Sequence, residues 1–234
     1  MNITAIGEIQ SCFTEKFGTP RQPGLIPLAQ ATLQLHSEFP IETVRGLEQF
    51  SHLWLISHFH QTTAQGWKPL VRPPRLGGNQ RIGVFASRSM FRPNGLGLSV
   101  CKLEKIKQKQ NHVVLHLSGI DLIDGTPIID IKPYLPYSDQ ISGATAGYAP
   151  SAPKTTTQVH FTPQATQQCI KQQPHHPDKL AELIIQILQQ DPRPAFHSAN
   201  NKARTYGMKL YKLNILWTYN NQQVTVESIE AEPQ

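Results

Sequence analysis

The chain is poor in the features that announce a common fold or a metal site. Its 234 residues include only three cysteines, Cys12, Cys101 and Cys169, far apart and with no CxxC pair. That excludes a zinc ribbon and a thioredoxin-type redox motif, and leaves buried free thiols in a reducing compartment as the simplest account. No apolar run approaches the length of a membrane span, and the first eight residues lack a basic stretch leading into an apolar one. The cytoplasm is the expected location. There are no internal repeats. Strands do not alternate with helices, so a doubly wound sheet is not expected. Acidic residues are also short, 16 against 22 Lys and Arg, which gives a net charge of +6 and a pI of about 9.3. That balance favours an acidic partner, RNA or DNA before an acidic membrane; a basic protein with no polyanion partner is the plain alternative. Nineteen prolines beside fifteen glycines indicate many fixed turns and argue against long helices.

What is present reads as β-rich over the first two thirds. Candidate strands cover 3–9, 32–36, 52–60, 81–86, 98–106, 113–119 and 128–131. In the third, Leu53, Leu55, Ser57 and Phe59 share one face, and Trp54, Ile56, His58 and His60 share the other. Both faces are apolar near its start, as in a strand of a closed sheet. Short strands with Gly and Pro punctuation predict an antiparallel barrel or sandwich. A small, polar, proline-marked segment at 142–157 reads as a boundary. It divides the chain into a β domain over 1–145 and a smaller α+β domain over 146–234. In the second, a short strand at 157–161 precedes a helix starting near Pro177 and Asp178. Leu180, Leu183, Ile184, Ile187 and Leu188 form its apolar face, and Asp191-Pro192 stops it. A hairpin follows, with Tyr211, Leu213, Ile215, Trp217 and Tyr219 alternating, a turn at Asn220-Asn221, and Val224 and Val226 returning.

Four segments carry candidate chemistry. The run from Arg81 to Val100 looks like a strand emptying into a stiff loop with Arg88, Arg92, Pro93 and Asn94-Gly95, and Arg72-Pro-Pro-Arg75 lies just upstream. Fixed arginines on a proline-stiffened loop suit an anionic ligand. Gly95-Leu-Gly97 lacks the third glycine and following helix of a dinucleotide fingerprint, so close backbone approach to a ligand or a strand explains it better. His58 and His60, two apart on a strand, could ligate a metal, although such pairs more often pack or hydrogen-bond. Gln61 could orient a small ligand. Asp124-Gly125 within Asp121 to Thr126 signals a tight turn, either a plain hairpin or a loop presenting carboxylates and amides. Arg193, between Pro192 and Pro194, is pre-organised for contact at low entropic cost.

Together these segments resemble the TsaA-like (YaeB) family of S-adenosylmethionine-dependent tRNA methyltransferases. The resemblance rests on Pro20-Arg-Gln-Pro-Gly24, Arg45-Gly-Leu-Glu48, Phe50-Ser-His-Leu-Trp54 and Val71-Arg-Pro-Pro-Arg-Leu-Gly-Gly78. It continues through Gly83-Val-Phe-Ala86, Arg92-Pro-Asn94, Asp121-Leu-Ile-Asp-Gly-Thr-Pro127, Asp130-Ile-Lys-Pro-Tyr134 and Asp191-Pro-Arg-Pro194. The family's last motif usually ends in tyrosine, where this chain has Phe196. The resemblance implies a small antiparallel β-barrel that binds S-adenosylmethionine, a homodimer with its site near the subunit interface, and N6-methylation of threonylcarbamoyladenosine 37 in threonine tRNA. It implies a cofactor site lined by Pro20, Arg21, Gln22, His60, Gln61, Arg88, Leu98, Asp121, Leu122, Ile123, Asp124, Gly125 and Thr126. Asp191, Pro192, Arg193 and Pro194 would receive the modified nucleoside, and Arg92 the RNA or its modified base.

Methyl transfer from a sulfonium is an in-line displacement that depends on alignment. The accepting urea-like nitrogen is a weak nucleophile, and Asp124 and Asp191 are the candidate proton acceptors by chemistry. No metal is expected. The alternatives from other classes are a non-catalytic RNA-binding β-barrel and a metal-dependent hydrolase using His58 and His60.

Overall fold

The structure, a computed structural model, describes residues 2–153, 155, 157–176, 179–194, 203–221 and 223–232. Pro177, Asp178 and Phe196 lie outside them. Six strands close a barrel: β1 (Gly7–Ser11), β2 (Gln30–Leu35), β3 (His52–His58), β6 (Leu96–Lys109), β7 (His112–Ser118) and β8 (Pro127–Pro133). Their order around the barrel is β1-β2-β7-β6-β3-β8, every pair antiparallel, with β8 returning to β1. Alternation sets what faces in. Leu53, Leu55 and Ser57 of β3 and Gly97, Ser99, Cys101 and Leu103 of β6 are buried, and the intervening residues are not. Ile9, Leu33, Leu115, Leu117 and Ile128 complete the interior. Each such aliphatic side chain contributes about 1.5–3 kcal/mol relative to exposure.

Between β3 and β6 the chain makes a two-stranded ribbon, β4 (Leu70–Val71) with β5 (Ile82–Gly83). The strand expected over 81–86 therefore ends after two residues. Val84–Ala86 turns as a 3₁₀ helix that buries Val84, and the Ser87 hydroxyl donates to the Val84 carbonyl at 2.8 Å. The strand expected over 52–60 likewise stops at His58, and His60–Gln65 is a 3₁₀ helix.

After a one-turn helix α1 (Pro136–Asp139), the C-terminal part builds a four-stranded sheet in the order β10 (Arg204–Leu210), β11 (Leu213–Asn220), β12 (Gln223–Ala231), β9 (Gln158–Phe161). The last pair is parallel. Helices α2 (Pro163–Gln172) and α3 (Leu180–Gln189) cover it. The five apolar residues read from the sequence are the buried face of α3. Helix α2 has no such stripe, burying only Ala165 and Cys169. Its signal is Thr162-Pro163, an N-cap whose hydroxyl accepts from the Ala165 amide at 3.1 Å, followed by proline in the first turn. The expected hairpin gains a third strand. Tyr211, read as the first strand position, sits in the β10–β11 turn at φ +55°.

One apolar core joins the two parts. The segment between β1 and β2 is the seam: the Tyr211 amide donates to the Cys12 carbonyl at 2.7 Å, and the Lys209 amide to Glu15 Oε1 at 3.0 Å. Gln190 Nε2 reaches the Leu25 carbonyl at 3.4 Å.

Candidate active site

Antiparallel order fixes which connections share a barrel end. Residue Ser11 at the end of β1 pairs with Ala31 at the start of β2, Gln30 pairs with Ser118 at the end of β7, and His58 at the end of β3 pairs with Leu96 at the start of β6. The connections 12–29, 59–95 and 119–126 therefore all leave from one end. Every residue assigned to the cofactor lies on these three connections or, for Leu98, at a strand mouth beside them.

The turn at 121–126 is not a hairpin, because β7 and β8 are not neighbours. It is stapled to β1 instead. The Asp124 and Gly125 amides donate to the Phe13 and Ile9 carbonyls at 2.7 and 2.8 Å, and the Ile9 amide donates back to Thr126 at 3.0 Å. Asp124 Oδ1 accepts from the Ser11 amide at 2.9 Å, and Ser11 Oγ donates to the Leu122 carbonyl at 2.8 Å. Leu122 and Thr126 are buried while Asp124 and Gly125 are exposed at the tip. Gly119, at φ +69°, packs against Gly24, whose amide donates to the Gly119 carbonyl at 2.7 Å. That contact ties the turn to the loop carrying Pro20, Arg21 and Gln22.

Asp121 points to the barrel mouth, where Oδ1 accepts from the inward Ser99 hydroxyl at 2.6 Å. Burial raises its carboxyl from the ordinary 3.8 to about 6, against the opposing hydrogen bond from Ser99 and the charge of Arg88. Burial and the Asp121 charge push the neighbouring Cys101 thiol upward, so Cys101 stays protonated and unreactive. Arg88 Nη1 donates to Gln22 Oε1 at 2.5 Å, bridging the 59–95 and 12–29 connections. Arg21 Nη2 lies 3.5 and 3.3 Å from the carbonyls of Asp191 and Arg193, which brings the C-terminal motif to the same loop.

Other assigned residues sit apart from this group. Leu98 is exposed on the outer face of β6, on the same face as Leu96, which lines a cavity with the exposed Phe85. His60 and Gln61 begin the 3₁₀ helix at the end of β3 and make no side-chain hydrogen bond among the described residues. His58 and His60 share no strand face, since the strand ends between them. Among the described residues no three His, Cys, Asp or Glu side chains group as metal ligands. Arg92 braces its own loop, Nη1 donating to the Ser87 and Ser89 carbonyls at 3.0 and 3.3 Å, and lines a cavity of about 220 Å³ with Phe85, Pro93, Asn94 and Leu96. Asp191 spends both carboxylate oxygens on Arg193, at 2.6 and 2.8 Å.

Gly95-Leu-Gly97 is explained by approach to a strand. A Cβ on Gly97 would stand 2.5 Å from Ser57 Oγ, and one on Gly95, at φ +59°, 3.2 Å from the His58 ring. Two residues had no role assigned from sequence, Ser11 and Ser99, which orient the two aspartates; Arg75, read with the arginines suited to an anionic ligand, instead donates to the Ser151 carbonyl. Ser99 had a legible signal, a lone hydroxyl in the inward phase of an apolar strand.

Similarities to known proteins run over nearly the whole chain. Residues 8–140 match the tRNA-methyltransferase O N-terminal domain, and residues 154–232 match the TrmO C-terminal domain. A tRNA (adenine(37)-N6)-methyltransferase of Escherichia coli K12 is 44% identical over 226 residues, 96% of each chain. A putative S-adenosylmethionine-dependent methyltransferase of Pseudomonas aeruginosa is 47% identical, over 93% of this chain and 92% of that one. The crystal structure of TrmO from Pseudomonas aeruginosa superposes with a TM-score of 0.81 at 39% identity, over 99% of this chain and 98% of the other. With both domains matched and each relative aligned almost end to end, the chain belongs to the tRNA-methyltransferase O family.

Proposed function

We propose that this protein moves a methyl group from S-adenosylmethionine to N6 of threonylcarbamoyladenosine 37 in threonine tRNA. The observation that carries this reading is the convergence of loop 20–22, Arg88, the 121–126 turn and the Asp191 to Pro194 motif on one barrel end. The relatives named for tRNA adenine-37 N6-methylation and for S-adenosylmethionine dependence support it.

The donor set fits the cofactor's chemistry. Asp121 offers a carboxylate to an ammonium or sulfonium group, and Arg88 offers donors to a carboxylate. Gly125, at φ +71°, has no atom of the described residues within 4 Å of a would-be Cβ. When bound, S-adenosylmethionine supplies a methyl on a good leaving group. The chain's part is to align and to accept a proton. Stapling the turn to β1 and bracing the 87–92 loop from within supply the rigidity that alignment needs. Asp124, exposed and with one oxygen uncommitted among the described residues, takes the N6 proton as the N–C bond forms. Asp191, chelated through both oxygens, frames the site rather than acting as base. Arg92, at its small cavity, meets the threonyl carboxylate.

The exposed apolar residues Trp67, Leu70 and Phe85 of the 59–95 connection, with Leu98 beside it, are the side chains a second copy would cover in a homodimer. The reaction belongs in the cytoplasm.

Incubation with methyl-labelled S-adenosylmethionine tests the reading, using threonine tRNA with and without the threonylcarbamoyl group. Label should reach only the carbamoylated tRNA. Tight RNA binding with no transfer would replace the enzyme by an RNA-binding module.

A further inference from the structure

Arg193 was expected to help receive the modified nucleoside, yet its side chain is only 2% exposed. Its guanidinium chelates Asp191 and lies with its carbon 3.2 Å from the centre of the Tyr219 ring. Both the fork and the face of the guanidinium are therefore occupied. Asp191 itself sits at φ +47°, a left-handed conformation that costs a non-glycine residue about 1 kcal/mol and persists only where its surroundings dictate it. A buried ion pair is a poor source of stability, because apolar residues of the same volume serve as well. What this pair does achieve is shape. With the Asp191 side chain locked, the carbonyls of residues 191 and 193 both face Arg21 Nη2, at 3.5 and 3.3 Å. The next residue, Gln22, folds its amide back to the Arg21 carbonyl and accepts from Arg88.

We propose that Arg193 is a positioning residue for the cofactor site. It holds the 191–193 backbone as a two-carbonyl socket for Arg21, and through Arg21 fixes the 20–22 loop against Arg88. The C-terminal sheet, by way of Tyr219, Arg193 and Asp191, thereby sets cofactor affinity without touching the cofactor. Lysine cannot substitute, since a point charge cannot grip two oxygens and lie flat on a ring at once. The inference rests on the reading of Arg21 and Gln22 as cofactor-lining residues.

A mutant cycle separates the two. S-adenosylmethionine affinity is measured by calorimetry without RNA, and tRNA affinity by filter binding, for wild type, Arg193→Lys, Arg21→Ala and the double variant. Each single change should weaken cofactor binding about tenfold, the scale of one charge-assisted hydrogen bond. The double variant should bind no more weakly than Arg21→Ala, because Arg193 acts only through Arg21. Binding of tRNA by Arg193→Lys should stay within about twofold of wild type. Additive losses, or reduced tRNA affinity with cofactor affinity intact, would overturn the proposal and return Arg193 to the RNA surface. Unchanged cofactor affinity in Arg21→Ala would overturn the site reading itself and the inference with it. Should Arg193→Lys fail to fold, Asp191→Asn, one third exposed and still an acceptor, takes its place in the same cycle.

Discussion

Replacing Asp121 by asparagine should stabilise the fold while harming the site. The carboxylate is held at the barrel mouth by a 2.6 Å bond from Ser99, an interaction that an amide oxygen can also accept. Burial lifts its pKa from 3.8 to about 6, so the folded state holds the proton more tightly than the unfolded state does. The Asp121 contribution to stability is therefore most favourable below pH 4, where the group is neutral in both states, and falls as pH rises from about 4 to about 6. Above that window the loss is constant. At about 1.4 kcal/mol per tenfold change in proton affinity, the full penalty is about 3 kcal/mol at pH 8 and about 1 kcal/mol at pH 4.5. Asparagine carries no charge and escapes the penalty. Any cost of its own, such as an unpaired amide hydrogen, does not change across this range. The variant's stability relative to wild type should therefore rise by about 2 kcal/mol between pH 4.5 and pH 8. Urea unfolding of both proteins at several pH values reads that difference directly. A difference that stays flat, or shrinks as pH rises, would refute the placement of a buried, charged carboxylate at the mouth.

Two further outcomes follow from packing. Gly97→Ala should destabilise by about 1–3 kcal/mol, since its methyl would stand 2.5 Å from Ser57 Oγ and 3.1 Å from the Phe59 ring. The buried Ser57 hydroxyl has no partner among the described residues, so Ser57→Ala should be neutral or stabilising alone and should recover part of the Gly97→Ala loss; urea midpoints of the four proteins check this. Phe85→Glu places a charge in the exposed apolar face, where Phe85 is 77% accessible, and should shift a dimer to monomer in sedimentation velocity without lowering the melting temperature of the chain. An unchanged sedimentation coefficient would remove that face from the dimer.

The sequence carried the barrel because inward and outward residues alternate cleanly in β3 and β6, and carried α3 because five aliphatics repeat at helical spacing. It did not carry α2 or β10. Both are polar along most of their length and owe their conformation to neighbours, α2 to packing on β12 behind its one readable signal, the Thr162-Pro163 cap, and β10 to pairing with β11. Tyr211 continued an alternation that its turn interrupts, and periodicity has no means of registering a positive φ. In the site, residue types and motifs located the three loops but not the division of labour within them. Asp121, Asp124 and Asp191 are alike in sequence. Only partners separate them: Ser99 and burial for the first, the Ser11 amide for the second, Arg193 for the third.

The most direct test of the central claim is a calorimetric titration of the purified protein with S-adenosylmethionine, in wild type and in Arg88→Ala. Arg88 bridges two of the three connections through Gln22, so the account predicts saturable binding to wild type without added metal, weakened about tenfold or more in the variant. No binding to wild type, or equal binding to both proteins, would contradict a cofactor site at this end of the barrel.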